Sequence, residues 1–419
     1  MSCVGTIPAE MRALVLDGTG FSHARIRKVA TPLPGPEQLL ARVDAAGICT
    51  SLIKLIEQGP AHKQVYGWDI TRFPLILGDE GAVSIVEAGA NLKGKYTPGE
   101  RFVIQPAVDH APINHRERFL DNARGVEKVA VGYTLPGHLA EYILICEEVL
   151  AAGCLLPLPD PSFPSAHAAM SEPISCVISA QDHHLHLVQE SPLSPRKPAK
   201  GLKAGGVTVI LGAGSMGRMH VDAALTCHPR VIVVSDPIGA RVAQVENLFR
   251  TRAHKAGIDL HTVNPEVLET SVRDLTGDLG ADDVIVAVGS RAAIEQAQTL
   301  VGRGGVLNLF GGLKKGEDSI ALDTGIVHYK EINVTGSSGG SPWDVERTLK
   351  LMAGGSIDAG SHITRIGDLE HAVDFLGMIR AQEIDGKAVV YPHRRTSTIL
   401  KVTSWTAQDE REYLKGSGN

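Results

Sequence analysis

The chain has 419 residues, of which 43% are hydrophobic and 21% charged, and its formal net charge is −6. This length and composition predict a globular protein of two domains, each with a full hydrophobic core. The negative charge and the absence of dense basic runs argue against nucleic-acid binding, and no apolar stretch is long enough to span a membrane. We therefore expect neither a nucleic-acid nor a membrane partner.

The first residues and the cysteines indicate the compartment. The N-terminal segment has neither the basic nor the apolar region of a secretory signal. The 6 cysteines are scattered along the chain and form no C-x-x-C pair, so a disulfide framework is not expected. These features predict a cytoplasmic protein.

The first part of the chain, to about residue 175, is predicted to be rich in β-strands. Short apolar runs are separated by turns that contain glycine and proline, which is typical of a barrel-like domain. The predicted strands cover residues 12–16, 39–43, 82–87, 101–104 and 142–146.

From residue 176 to about 340, predicted strands alternate with helices. Regular alternation predicts an α/β domain with a doubly wound parallel sheet. Its strands are expected at residues 207–211, 231–235, 283–288, 305–310 and 332–336, and residues 191–203, which contain three prolines, are expected to form a surface loop.

The last part of the chain is predicted to return to the first domain. A helix over residues 342–352 and a strand over 387–391 would complete the β-rich domain of residues 1–175 with residues 341–396. The remaining segment, 397–419, is mostly polar, and we expect a partly disordered tail.

Glycines spaced G-x-G-x-x-G follow the predicted strand at 207–211 directly. Gly212 permits the tight turn, Gly214 lets the backbone approach a pyrophosphate, and Gly217 lets the next helix pack closely on the sheet. The phosphates would face the first N–H groups of that helix. The predicted dinucleotide-binding residues of this turn are Gly212, Gly214, Ser215, Met216 and Gly217.

Asp236 ends the next predicted strand, at the distance expected of a carboxylate that binds the ribose hydroxyls. A carboxylate here accepts hydrogen bonds from a free 2′-hydroxyl and repels a 2′-phosphate, which favours NAD over NADP. Arg241 lies close enough to complicate this preference, although covering the adenine is an alternative role.

An ordered set of further motifs accompanies this fingerprint. They are Gly47-Ile48-Cys49, Gly78-Asp79-Glu80-Gly81, residues 99–103, residues 137–142, Glu172-Pro173 and Gly386-Lys387. With this set the chain resembles the zinc-dependent medium-chain dehydrogenases/reductases of the alcohol and polyol dehydrogenase type. That resemblance implies a GroES-like barrel domain joined to a Rossmann domain. Residues 91–96, 105–107 and 327–329, with Ser51, Lys54 and Cys176, resemble the L-sorbose-1-phosphate reductase-like branch.

The resemblance implies a catalytic zinc bound by Cys49, with Glu80 and Glu172 at or next to the metal. This chain departs from the family at Asp79, where a histidine ligand is usual. Carboxylate oxygens also bind zinc, so a site with Cys49, Asp79 and Glu80 is chemically reasonable, although more anionic. The alternative is a metal site that has degraded.

Other candidate ligands are interpreted as non-metal residues. The four closely spaced cysteines of the family's structural zinc site are missing, so no structural zinc is expected, and His110 and His115 are assigned to a surface loop. The histidines of residues 183–186 fall on a helix-like stretch, where a solvated or packed face is the preferred interpretation.

The resemblance also implies roles in hydride transfer between NAD(H) and a carbonyl substrate. Ser51 matches a hydroxyl that hydrogen-bonds the substrate oxygen, and Glu172 is expected among the catalytic residues. Lys54 either relays a proton or binds an anionic substrate. The expected substrate is a ketose, a polyol or a phosphate ester of either. The positive charges that would bind a phosphate are Lys54, His62, Lys63 and Arg72.

Two alternative functions remain open from the sequence. One is a zinc-free quinone or enone reductase of the same superfamily, and the other is a nucleotide-binding protein without catalysis. The family further implies a homo-oligomer, either a dimer or a tetramer.

Overall fold

A computed structural model describes residues 7–109, 112–313 and 316–416 of the chain. The chain divides into two compact units. Unit 1 consists of Met1–Pro173 and Ser341–Asn419, and unit 2 is Ile174–Gly340.

The strands are numbered in chain order. They are β1 Glu10–Leu16, β2 Ala24–Ala30, β3 Leu39–Ile48, β4 Leu75–Ile76, β5 Glu80–Ala88, β6 Arg101–Ile104, β7 Ala107–Val108, β8 Val129–Ala130, β9 Tyr142–Ile145, β10 Leu155–Pro157, β11 Leu185–Val188, β12 Lys197–Lys200, β13 Val207–Leu211, β14 Val231–Ser235, β15 Asp259–Val263, β16 Ala281–Val286, β17 Val301–Leu309, β18 Asn333–Thr335, β19 Ile363–Asp368, β20 Lys387–Tyr391 and β21 Leu400–Lys401.

The α-helices are numbered in the same way. They are α1 Ser51–Gln58, α2 Glu147–Ala151, α3 Ser165–Ala169, α4 Ser171–Asp182, α5 Ser215–Leu225, α6 Gly239–Lys255, α7 Pro265–Thr276, α8 Arg291–Leu300, α9 Thr324–Lys330, α10 Pro342–Ala353, α11 Ala372–Arg380 and α12 Ala407–Lys415. Across the described ranges, no helix combines the length and apolar character that crossing a bilayer requires.

Unit 1 is built on a large mixed sheet with the strand order β10-β6-β5-β3-β20-β19-β21, and β9 adds to β3. The long central strand β3 pairs antiparallel with β5, β9 and β20. A smaller sheet, β2-β1-β4, adds to the unit. Alternating apolar side chains of these strands form one continuous core, as expected for a GroES-like barrel.

Unit 2 contains a parallel sheet with the order β15-β14-β13-β16-β17-β18. This is the strand order of the Rossmann fold, with the switch point between β13 and β16. Every residue of β13 and β14 is buried, because helices cover both faces of a parallel sheet. The predicted fold class, a barrel domain joined to a Rossmann domain, is therefore confirmed.

Two local predictions in unit 2 were wrong. Residues 183–186 do not continue a helix, since α4 ends at Asp182 and His186 lies on strand β11. The predicted surface loop at 191–203 contains β12, which pairs antiparallel with β11 to form a hairpin. Polar residues dominate β12, so its sequence gave no strand signal.

The hairpin is attached by buried polar groups. His184 Nδ1 and His186 Nε2 both donate to Asp283 Oδ1 on β16, at 2.6 and 2.9 Å. The backbone N–H of Lys203 donates to Asp283 Oδ2 at 2.8 Å. These donor–acceptor distances are those of hydrogen bonds, so His184 and His186 anchor the hairpin to the sheet.

The expectation of a partly disordered tail after residue 396 was also wrong for the described residues. Strand β21 pairs with β19, and helix α12 follows. Trp405 and Glu410 are 4% and 5% exposed, so the tail buries both an indole and a carboxylate.

Candidate active site

Two neighbouring strands of unit 1 bring the predicted metal ligands together. Cys49 directly follows β3, and Asp79 directly precedes Glu80, the first residue of β5. Because β3 and β5 are antiparallel, with Gly47 opposite Glu80, these side chains meet at one end of the pair. The Cys49 sulfur and one carboxylate oxygen each of Asp79 and Glu80 all lie within 4.8 Å of one another.

Gly47 leaves the space that the Glu80 carboxylate fills. A Cβ atom at position 47 would lie 2.0 Å from Glu80 Oε2, closer than any real contact. The first residue of the Gly47-Ile48-Cys49 motif is therefore glycine because the opposite strand turns a charged group across it.

Lys387 is a site residue to which the sequence analysis gave no role. It begins β20, the strand that pairs with the other edge of β3, and its ammonium group forms a buried ion pair with Glu80 Oε1. Burial alone would lower the pKa of Lys387, but the charges of Glu80 and Cys49 outweigh burial and raise it. The Gly386-Lys387 motif was the available signal, but sequence alone did not indicate the partner.

The cluster carries more acidic groups than basic ones. Burial raises the pKa of Cys49 well above its ordinary value, and the charges of Asp79 and Glu80 raise it further. Burial likewise raises the pKa of both carboxyl groups. Burial therefore disfavours the unpaired anionic form of all three groups. A bound metal cation would stabilise that anionic form and would take the place of the protons.

Two buried oxygens of the cluster lack partners within the described part of the chain. They are Asp79 Oδ1 and Glu80 Oε2. The Cys49 sulfur and two buried carboxylates, each with one unsatisfied oxygen, form a donor set that suits a divalent metal ion. Zn²⁺ accepts both thiolate and carboxylate ligands. The residues present therefore fit the zinc that the sequence predicts.

Ser51 connects this cluster to a tyrosine. Its hydroxyl donates to Asp79 Oδ2 at 2.9 Å. Burial and the charge of Asp79 raise the pKa of Tyr133 well above 10.0, while a hydrogen bond with Ser51 opposes the rise. Tyr133 is 5% exposed and lies in the segment where the family carries its structural zinc, so no sequence signal indicated it.

The remaining predicted polar residues lie around this centre. Glu172, the second residue of α4, is partly exposed, and its charge acts on both Cys49 and Tyr133. Among the described residues, Glu172 belongs to neither of the two compact groups of possible metal ligands, which are Cys49, Asp79 and Glu80 in unit 1 and His184, His186 and Asp283 in unit 2.

The predicted phosphate-binding residues are only partly brought together. The His62 ring lies 5.5 Å from the Tyr133 ring, and burial and then the charge of Lys54 lower the pKa of His62. Lys54 and Lys63 are exposed, whereas the Arg72 guanidinium stacks on Phe73 at 5.1 Å. His115 is exposed, and His110 lies outside the described residues.

In unit 2 the glycine fingerprint forms the predicted turn between β13 and α5. A Cβ atom on Gly217 would lie 1.8 Å from the Gly212 carbonyl oxygen, so only glycine permits this approach of helix and strand. Helix α5 begins at Ser215 without a side-chain cap, and Ser215 Oγ is buried with no partner among the described groups. The first turn, including the half-buried Met216, thus offers free donors at the place where a pyrophosphate would bind.

Asp236 is held rigidly at the end of β14. Its carboxylate accepts from the backbone N–H groups of Ala213 and Ile238, each at 2.8 Å. Arg241 Nη1 lies 3.8 Å from the same carboxylate. Both side chains line a cavity of about 280 Å³, together with Pro265, Val288 and Ser290, which could accommodate an adenosine.

Two family models match the chain. Residues 35–160 match the model described as the alcohol dehydrogenase GroES-like domain. Residues 215–354 match the model described as zinc-binding dehydrogenase.

The most similar relatives include enzymes of sugar phosphates. The mannitol-1-phosphate 5-dehydrogenase of Aliivibrio fischeri is 33% identical over 384 residues, which cover 89% of this chain and 85% of that protein. The L-sorbose 1-phosphate reductase of Klebsiella pneumoniae is 29% identical over 84% of this chain and 82% of its own length.

Solved structures share the fold. A zinc-binding dehydrogenase from Sinorhizobium meliloti bound to NADP has a TM-score of 0.69 and 24% identity, covering 92% of this chain and 100% of that one. The 2R,3R-butanediol dehydrogenase from Bacillus subtilis has a TM-score of 0.71 and 21% identity, covering 91% and 100%.

Proposed function

Because the chain belongs to the zinc-dependent medium-chain dehydrogenases, we propose that it interconverts a ketose phosphate and a polyol phosphate by hydride transfer with NAD(H). The observation that carries this proposal is the cluster of Cys49, Asp79 and Glu80, with Ser51 hydrogen-bonded to Asp79. The names of the two sugar-phosphate relatives support the substrate class.

In the reductive direction the ketose carbonyl carbon accepts a hydride from NADH, and its oxygen accepts a proton. Cys49, Asp79 and Glu80 would hold a single zinc ion, with Glu172 nearby. A bound zinc would act as a Lewis acid that polarises the carbonyl oxygen. The substrate oxygen would lie beside Ser51, whose hydroxyl can exchange its hydrogen bond with Asp79 for one with the substrate.

The proton must reach the new hydroxyl group from solvent. Ser51 and Tyr133 form the buried part of a route, and His62 lies on the other side of Tyr133. Lys54 is exposed and close enough to act on His62, so it remains a candidate both for the proton relay and for binding an anionic substrate.

Asp79 makes this site more anionic than one with histidine. An additional negative ligand would cancel more of the charge of a bound zinc ion and so would weaken it as a Lewis acid. The buried ion pair of Lys387 with Glu80 offsets part of that negative charge.

NAD(H) is the proposed cofactor, held by Gly212, Gly214, Ser215, Met216, Gly217 and Asp236. The buried carboxylate of Asp236 borders the cavity, where a 2′-phosphate would meet a fixed negative charge. Arg241 Nη1 lies 3.8 Å from that carboxylate, so the positive charge of Arg241 is paired with Asp236.

The proposal is tested with four substrates and the purified enzyme. L-sorbose 1-phosphate and free L-sorbose are supplied with NADH, and mannitol 1-phosphate and free mannitol with NAD⁺. We expect turnover of at least one phosphate ester at a kcat/KM well above that of its free sugar. Cys49→Ala should lose both bound zinc and turnover. Metal analysis and the activity assay are carried out on the same preparations.

Each alternative predicts a different result. Better use of the free sugars would leave a general polyol dehydrogenase. Full activity of Cys49→Ala towards a quinone or an enone would indicate a zinc-free reductase. Binding of NADH without turnover of any carbonyl compound would indicate a non-catalytic protein.

A further inference from the structure

The C-terminal helix α12 places a buried carboxylate between two distant parts of unit 1. Glu410 Oε1 accepts from the backbone N–H of Ser165 at 2.7 Å, and Oε2 accepts from that of Ala166 at 2.8 Å. The same Oε2 accepts from the Tyr391 hydroxyl at 2.9 Å. Glu410 is 5% exposed, so these contacts hold it in the protein interior.

The two elements that Glu410 joins both lead to the cluster. Ser165 and Ala166 begin helix α3, which packs on β3 and β5 and is followed after one residue by α4, the helix that carries Glu172. Tyr391 ends β20, the strand that begins with Lys387. One carboxylate of the tail thus connects the segment leading to Glu172 with the strand whose lysine pairs with Glu80.

Further contacts fix the tail in this place. The Trp405 indole N–H donates to the Tyr391 hydroxyl oxygen at 2.7 Å, and the Trp405 carbonyl oxygen accepts from His167 Nε2 on α3 at 2.6 Å. The backbone N–H of Trp405 donates to the Gly360 carbonyl at 3.0 Å. The tail therefore contacts α3 at two separate points, and both Trp405 and Glu410 bond the same hydroxyl group of β20, that of Tyr391.

We infer that Glu410 is a positioning residue for the metal centre, which it supports by clamping α3 to β20. This inference rests on the proposed function, because it assumes the zinc site of Cys49, Asp79 and Glu80. In the described part of the chain the hydrogen bonds of Glu410 go to the backbone of α3 and the side chain of Tyr391, so its effect on the metal ligands is indirect.

Glu410→Gln is a suitable test because it keeps the shape of the side chain. A carboxylate can accept hydrogen bonds at both oxygens, whereas a glutamine offers one accepting oxygen and one NH₂ donor. In either orientation of the variant's amide, its NH₂ group would face a backbone N–H of α3, and in place of Oε2 it would also face the hydroxyl of Tyr391. Glu412→Gln, an exposed change on the same helix, is the matched control.

The measurement is the zinc dissociation constant, determined by competition with a chromogenic chelator at 10 °C. Circular dichroism at that temperature establishes that each variant is folded. Groups that hydrogen-bond a metal ligand directly typically change affinity by about 10- to 100-fold. Because Glu410 acts one step further away, we expect zinc binding in Glu410→Gln to weaken by about tenfold, the lower end of that range. The zinc affinity of Glu412→Gln should equal that of the wild type. The kcat of the zinc-saturated variant should fall, with little change in KM.

Unchanged zinc affinity in a folded Glu410→Gln variant would overturn the inference, even if its melting temperature fell. If this variant does not fold, Tyr391→Phe keeps the ring and removes the hydroxyl group that bonds both Glu410 and Trp405. Unchanged zinc affinity in Tyr391→Phe would equally overturn the inference. Cys49→Ala separates the two proposals. Zinc retained by Cys49→Ala would refute the proposed site, whereas zinc lost there but kept at full affinity by Glu410→Gln would refute only the clamp.

Discussion

Lys387 and Glu80 form a charged pair in the protein interior. Removing one of the two charges should change the free energy of unfolding differently from removing both. Removing one partner of such a pair leaves an uncompensated charge, which typically costs about 3–5 kcal/mol. We expect Lys387→Met to lower the free energy of unfolding of the metal-free protein by that amount, measured by urea denaturation. Lys401→Met, on the exposed part of β21, should change it by less than about 0.5 kcal/mol.

A double variant distinguishes charge from packing at the same position. Lys387→Met combined with Glu80→Gln removes both charges, and much of the lost stability should return. If the double variant is as unstable as Lys387→Met alone, the cost comes from packing of the lysine stem and not from the buried Glu80 charge.

Gly47 provides a second test of the cluster geometry. In Gly47→Ala the new methyl group would collide with Glu80 Oε2, so the carboxylate must leave the position in which it meets Cys49 and Asp79. We expect less than one tenth of the wild-type zinc content, measured by metal analysis after gel filtration. Gly377→Ala is the control, since a Cβ atom there meets open space on α11. Wild-type zinc content in Gly47→Ala would contradict the assignment of Glu80 to the metal centre.

The turn from β13 into α5 makes a comparable prediction for the nucleotide. In Gly217→Ala the methyl group would press on the Gly212 carbonyl oxygen and move the first turn of α5, whose N–H groups are those proposed to bind the phosphates. We expect NADH binding to weaken at least about a hundredfold, in keeping with the loss of two or more charge-assisted hydrogen bonds. Fluorescence titration measures it, and Gly239→Ala at the open start of α6 should bind normally.

The β11–β12 hairpin should make stability depend on pH. Burial alone would raise the pKa of Asp283, but hydrogen bonds from His184 and His186 lower it to about 2. The contribution of Asp283 to stability is therefore present above pH 3.8, the ordinary pKa of the group, and is lost as the pH falls towards about 2. Burial alone would lower the pKa of His186, but the bond to Asp283 raises it above 6.5. The contribution of charged His186 to stability is present below pH 6.5 and is lost as the pH rises through the raised pKa of this residue.

Asp283→Asn should accordingly cost most stability between about pH 4 and 6.5. We expect the free energy of unfolding lost in this variant, measured with urea, to be larger at pH 5.5 than at pH 8.5. Asp278→Asn, an exposed change in the same unit, should show no such difference. Equal losses at both pH values would mean that His186 is not charged in the native protein.

The sequence predicted regular elements well where the local pattern decides them. The bounds of β13, β14 and β20 agree residue for residue, because continuous apolar runs bounded by glycine or turns are diagnostic of buried parallel or central strands. The edge strand β15 has mixed polarity and was missed. The His184 and His186 pair was misread because its partner, Asp283, lies almost 100 residues away.

The site shows the same division. Cys49, Asp79, Glu80 and Ser51 lie in short motifs, so they could be named from the sequence, and the structure brings them together. Lys387 joins them only through the pairing of β20 with β3, and Tyr133 only through a turn that contacts Ser51. Glu410 reaches β20 only through the tail. No local pattern specifies such long-range contacts.

The proposed metal residues and the nucleotide residues belong to different units, each with its own core. Removing zinc with 1,10-phenanthroline should therefore abolish turnover and leave NADH binding within about twofold of its original affinity. Fluorescence titration and activity assays on one chelated sample measure both, and added zinc should restore turnover. Loss of NADH binding on chelation, or turnover that survives it, would contradict this division of roles.

The separation of Glu80 from Lys387 in the chain also has a consequence for biosynthesis. The two partners are 307 residues apart, which a ribosome covers in about 15–60 s. Until then β3 lacks its neighbour β20, and Glu80 has no lysine beside it. Unit 1 can therefore complete its central sheet only when nearly the whole chain has been made, whereas the uninterrupted unit 2 can fold while synthesis continues.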